Sequence, residues 1–193
     1  MQDRLATRED VLAIGRRMQA QLPALSEVQD STTSGRTEYT RAIWNYFDQL
    51  RSEYEPPWKL YPETEPKRGK VKGEFLIDFS LFDDHLGCRI ACESEWELDV
   101  GRIGWAFDKL MAVKADLKIL VFQMKHEDGE PRLPNRLEER LVRDALNDCG
   151  HHHPGHEAYL LMQFDRSESR LFFWEPKHSG PFKPGEIRFE YMS

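Results

Sequence analysis

The chain has no uninterrupted apolar run approaching the roughly 18 residues a membrane-spanning helix needs, so no such helix is expected. Its start, Met1-Gln-Asp-Arg-Leu-Ala6, lacks a signal peptide's apolar segment, and a cytoplasmic location is expected. Cysteine is scarce: three in 193 residues, an odd number, argue against a disulfide framework. Cys88 and Cys92 fall on the apolar side of an expected strand and read as buried reduced thiols. Positive charge is in deficit as well. With 27 Lys and Arg against 34 Asp and Glu the formal charge is -7, which weighs against nucleic-acid binding by bulk electrostatics and leaves local patches to set the field. One such patch is Lys59, Lys67, Arg68, Lys70 and Lys72, which reads either as a solvated loop or as a local positive surface. Internal repeats and low-complexity tracts are absent, and the length suits one well-packed domain.

What is present is a clear alternation of helical and strand patterns. A first helix is expected from Thr7, with Val11, Ile14, Met18 and Leu22 on one face and Pro23 as its stop. A second runs from about Arg36 to Tyr54, burying Tyr39, Ile43, Tyr46, Phe47, Leu50 and Tyr54. Prolines 56, 57, 62 and 66 then mark an irregular connection that suits a loop over a site. From about Asp99 to Ala115, Ile103, Phe107, Leu110 and Val113 recur at helical spacing, and Leu117 to Phe122 follows as a buried strand. Such a strand, helix, strand unit joins parallel strands, so a mixed sheet is expected. A further helix opens at Asn135 with Glu138 and ends at Gly150. Strands are expected at 158–164, 170–174 and 186–191.

Between the second and third helices lies an acidic hairpin. In Gly73-Glu-Phe-Leu-Ile-Asp-Phe-Ser-Leu-Phe82 the odd positions Phe75, Ile77, Phe79 and Leu81 are apolar, and Asp78 falls on the other face. In Arg89-Ile-Ala-Cys-Glu-Ser-Glu-Trp96 the even positions are mostly apolar, and Glu93 and Glu95 fall on the odd face. A loop at Asp83-Asp84-His85-Leu86 pairs Phe82 with Gly87, Phe79 with Ile90, Asp78 with Ala91 and Ile77 with Cys92. That register puts Asp78, Glu93 and Glu95 on one face as near neighbours. Carboxylates inside apolar strands cost several kcal/mol unless a cation or a hydrogen-bond network holds them. The alternative is a solvent-facing side of a sheet, where acidic residues simply alternate outward.

The order helix, strand with Asp, strand with Glu-x-Glu, helix, strand resembles the PD-(D/E)xK nuclease superfamily. The resemblance is carried by Asp78, Glu93-Ser94-Glu95 and the helix and strand from Trp105 to Phe122, and covers roughly residues 36 to 123. It implies an α/β fold of the restriction-endonuclease-like type, a mixed β-sheet flanked by helices. Residues 1–35 then form a helical extension, 36–123 the nuclease-like core, and 124–193 a helix with C-terminal strands. It further implies Mg2+ (or Mn2+) held by Asp78 and Glu93, Glu95 positioning the attacking water, and cleavage of phosphodiester bonds in nucleic acid, DNA first. Two departures stand out. The superfamily's Pro-Asp pair is Ile77-Asp78 here, and its usual Lys is Glu95, as in some restriction endonucleases with Glu-x-Glu. Lys109 and Lys114 on the next helix are candidates for the missing positive charge, and Glu38 matches the place where some relatives add a carboxylate to the metal. Either residue type also has a plain structural role at its position, Glu38 in favouring a helix start.

A hard ion such as Mg2+ suits these oxygen donors. The rival function is a non-catalytic binding or assembly module on a degenerate nuclease-like fold, with a homodimer or protein partner. Cys149-Gly-His151-His-His-Pro-Gly-His156 offers zinc-ligating residue types without a tetrahedral spacing signature, and a polar turn is the plainer reading. The aromatic tail of Phe172, Phe173, Trp174, Phe189 and Tyr191 reads as core or dimer contact.

Overall fold

The computed structural model describes residues 8–21, 33–55, 57–63, 76–96, 99–123, 157–164, 169–174 and 190–192. The helix expected from Asn135, the Cys149 to His156 cluster, and Lys67, Arg68, Lys70 and Lys72 lie outside them. The chain is mixed α/β. Three helices, α1 (Arg8–Gln21), α2 (Thr33–Arg51) and α3 (Val100–Ala112), accompany seven strands. These are β1 (Lys59–Tyr61), β2 (Phe79–Asp83), β3 (Gly87–Glu95), β4 (Leu117–Gln123), β5 (Ala158–Phe164), β6 (Ser169–Trp174) and β7 (Glu190–Met192).

The strands lie in one sheet in sequence order. β3, β4 and β5 are mutually parallel, while every other neighbouring pair is antiparallel. The sheet is therefore mixed, with the antiparallel hairpin beside the parallel strands, as the strand, helix, strand order implied. Among the described residues no helix is long and apolar enough to cross a membrane.

Both faces of the sheet are covered. One carries α1 and α2: Ile14, Met18, Tyr39, Ile43, Tyr46, Phe47 and Leu50 pack against Phe79, Leu81, Ile90, Cys92, Ile119 and Leu160. The α2 stripe is the one its spacing predicted, although the helix closes at Arg51 and leaves Tyr54 in the following turn, stacked on Trp58 at 3.5 Å. The Tyr46 hydroxyl donates to the Ile14 carbonyl at 2.9 Å, tying α1 to α2. On the other face α3 lays Ile103, Phe107 and Leu110 over Ala91, Leu120, Tyr159 and Leu161. Asp99 caps α3, its carboxylate accepting from Arg102 N at 3.0 Å. On the acidic face Glu93 is buried, whereas Asp78 and Glu95 are half-buried.

The hairpin differs from its expected register. Phe82 pairs with Cys88 and Asp83 with Gly87, leaving Asp84-His85-Leu86 as the loop. Asp83 closes it by accepting from His85 N and Leu86 N, and Gly87 takes the left-handed φ of 85° that this turn requires. The register then slips, because Leu81 pairs with Ile90 and Arg89 is left as the extra residue of a bulge. Beyond it Phe79 pairs with Cys92, two residues from the expected Ile90, and Ser80 rather than Asp78 pairs with Ala91. Beyond the bulge the slip is two residues, which keeps Phe79, Leu81, Ile90 and Cys92 on their expected common face, whereas the one-residue slip before it turns Cys88 to the other.

The bulge has further consequences. Cys88 packs with the α3 side and Cys92 with the α2 side, so the two thiols are unbridged and on opposite faces. Ile77, expected beside Phe79 on one face, packs on the α3 side where the chain bends before β2. Arg89 itself is buried, its guanidinium 2.7 Å from Asp116 and 5.8 Å from the centre of the Trp58 ring. β1 forms in what read as an irregular proline-rich connection, with Leu60 opposite Leu81.

Candidate active site

The acidic residues of the hairpin converge where β2 begins and β3 ends. Continuing the pairing of Phe79 with Cys92 by one residue sets Asp78 beside Glu93. The contacts agree. Asp78 N donates to Glu93 Oε1 at 2.9 Å, while Asp78 Oδ2 accepts from Ser94 N at 2.9 Å and from Ser94 Oγ at 2.8 Å. Asp78 and Glu93 are thus locked together through the backbone and hydroxyl of the strand that carries Glu-Ser-Glu.

Glu93 is only 2% exposed, on the face covered by α3. A single buried carboxylate there calls for a cation, and Lys109 supplies it: its Nζ forms an ion pair with Glu93 Oε2. The lysine comes from the helix after the acidic strand. Of the two lysines that the sequence offered, Lys109 is the one engaged, and Lys114 is exposed. Burial, and next the charge of Asp78, push the Glu93 carboxyl up from 4.5 to about 7, against the opposing pull of Lys109 and the Asp78 N–H. A carboxyl poised near neutrality beside an acidic neighbour and a lysine is the kind of group that functional sites gather.

Glu95 follows two residues along β3 and is half-buried, opposite Phe122 of β4. Glu38 is exposed on α2, a helix that packs against the other face of the sheet. The structure does not gather these four carboxylates into one ligand set: among the described residues no three His, Cys, Asp or Glu form a group that could hold a metal ion. The full ligand set with Glu38 is corrected by this geometry to a close pair, Asp78 and Glu93, with Glu95 as its neighbour along the strand.

Two features here escaped the sequence reading. Ser94 counted only as a residue of the apolar face, yet its N–H and hydroxyl position Asp78. The second is a buried polar cluster on the same face, where Lys118 Nζ meets Glu157 Oε2 at 2.5 Å and the Tyr159 hydroxyl at 3.2 Å, and that hydroxyl lies 3.0 Å from Glu157 Oε2. A lysine inside the run Leu117-Lys-Ile-Leu-Val-Phe122 was the available signal, since a lysine in a two-sided buried strand needs a buried anion.

The donor set has a definite chemical character. Two carboxylates side by side are hard oxygen donors, and Mg2+ takes one or two carboxylates with water and phosphate oxygens filling the rest of its shell. Asp78 and Glu93 are donors of that type, and both Glu93 oxygens are engaged by the Asp78 N–H and Lys109. Lys109 offers a fixed positive charge next to them. Compared with protein-family models, curated proteins and solved structures, the chain matches none at significance.

Proposed function

We propose that the chain is a metal-dependent nuclease of the restriction-endonuclease-like type, hydrolysing phosphodiester bonds of nucleic acid, with DNA the first substrate to test. The observation that carries this reading is the buried Glu93 joined to Asp78 on one side and to Lys109 on the other. Asp, Glu and Lys are the three side-chain types of the resembled motif, with the lysine arriving from the helix in place of the strand position occupied by Glu95.

In this reading Asp78 and Glu93 would hold Mg2+ or Mn2+, which would supply Lewis acidity and lower the pKa of a water. Ser94 fixes the Asp78 carboxylate in place. Glu95 accepts the proton of the attacking water or holds that water in line. Lys109 lends positive charge where negative charge grows on the phosphoryl oxygens. Burial pushes the Glu93 carboxyl up to about 7, and a cation bound beside it would favour its ionised form.

A second reading has its own observation: both Glu93 oxygens already have partners inside the protein, so the charge is satisfied without any metal. That arrangement suits a non-catalytic binding or assembly module. Calorimetric titration with Mn2+ separates the two. The nuclease reading expects saturable binding that Glu93→Gln abolishes, whereas the module expects no binding at millimolar metal.

A further inference from the structure

The two most exposed large apolar side chains among the described residues are Trp105, 63% exposed, and Leu76, 55% exposed. Leaving an indole in water forfeits a large burial gain, so its position is informative. Both stand beside the candidate site. Lys109 Nζ, which pairs with Glu93, also lies 4.8 Å from the centre of the Trp105 ring. Leu76 precedes Asp78 by two residues.

The topology sets their level. β3 and β4 are parallel, so α3 carries the chain back against them, and moving toward the helix N-terminus moves toward the end of β3. Trp105 is about 6 Å along the helix from Lys109, and Glu95 about 6.6 Å along the strand from Glu93, both in that direction. Glu95 and Trp105 therefore each lie one step outward, along their own elements, from the Glu93 and Lys109 contact.

We propose that Trp105 is a stacking platform for an unpaired nucleobase flanking the phosphate at this site, so that single-stranded nucleic acid is the preferred ligand; this rests on the phosphodiester reading above. Lys109 lies over the ring on one side, and no other ring or cation contacts the indole among the described residues. A base inside a duplex has both faces stacked and cannot use such a platform, whereas an unpaired base can, whatever its identity. A cation over one side of the indole suits a flat, uncharged ring joined to a phosphate better than a basic peptide.

The test is fluorescence anisotropy on the full chain in Ca2+, with labelled oligothymidylate, oligouridylate and a blunt-ended DNA duplex, probe integrity being checked on a gel. Wild type should bind both single strands more tightly than the duplex. Trp105→Ala should weaken single-strand binding about tenfold with duplex binding unchanged, and Trp105→Phe should recover most of the loss. Equal single-strand affinity in Trp105→Ala and wild type overturns the proposal. So does an equal loss on both kinds of probe, or a wild type that binds no single strand, which would assign the exposed pair to a protein contact. Failure of the nuclease reading is seen separately, as wild type that discriminates between the strands yet cleaves nothing in Mg2+ or Mn2+.

Discussion

Glu93 concentrates the tension in this molecule. Its carboxylate is buried, it neighbours Asp78, and it leans on one lysine for compensation. Removing that lysine leaves a buried charge without its partner, and Lys109→Met is expected to cost about 3 kcal/mol in urea denaturation at pH 8 in EDTA. Adding Glu93→Gln to it should return most of that loss, since the orphaned charge is then gone. The same residue sets a pH dependence. Its folded pKa of about 7 lies above its ordinary 4.5, so the folded state binds the proton more tightly than the unfolded chain does. The carboxyl is neutral in both states below about 4.5 and imposes no penalty there; as pH rises from about 4.5 through 7 the folded state loses stability, by roughly 3 kcal/mol in all. Wild type in EDTA should therefore be more stable at pH 5.5 than at pH 8, and Glu93→Gln should flatten that difference. A slope of the same size in Glu93→Gln would place its origin elsewhere.

At the scale of elements, the buried Lys118 ties β4 to β5 through Glu157 and Tyr159, and Arg89 ties the start of β3 to Asp116 ahead of β4. These contacts fix the parallel strands whose ends carry the site. Glu157→Ala should destabilise the fold by about 3–5 kcal/mol, because Lys118 is left charged in the interior, whereas Lys118→Met with Glu157→Leu should cost far less. Thermal or urea unfolding of the three proteins checks this. α2 and α3 were legible in the sequence because one stripe of apolar residues repeats at helical spacing, and the mixed sheet followed from the strand, helix, strand order. The hairpin register was legible only to its face. Nothing in the run from Cys88 to Cys92 marks Arg89 as an extra residue, and its bulge is stabilised by Asp116 and Trp58, which are distant in sequence. β1 was hidden by its prolines and its length of three residues, too short to display an alternation. The pairing of Asp78 with Glu93 was legible as a shared face, while Lys109 became decisive only once α3 was seen packed over that face.

Across the whole molecule, the sheet presents the acidic pair where β2 and β3 meet, and α3 brings a lysine and an exposed tryptophan to the same edge. The acidic net charge makes this local grouping matter more than the overall field. Of the basic run expected beside the hairpin, Lys59 is directed to Asp84 at 2.6 Å, an exposed pair that contributes little to stability and draws that charge to the hairpin tip. Lys109 is the cation that the structure sets against the acidic pair. The central claim, hydrolysis of phosphodiester bonds at Asp78 and Glu93, is tested most directly by incubating purified wild type and Asp78→Asn with single-stranded DNA, duplex DNA and RNA in Mg2+ and in Mn2+. The account predicts cleavage of at least one of these by wild type, abolished by EDTA and reduced at least a hundredfold in Asp78→Asn, on the scale that loss of a charge-stabilising group at a reacting centre brings. All substrates left intact by wild type, or equal cleavage by Asp78→Asn, would contradict it.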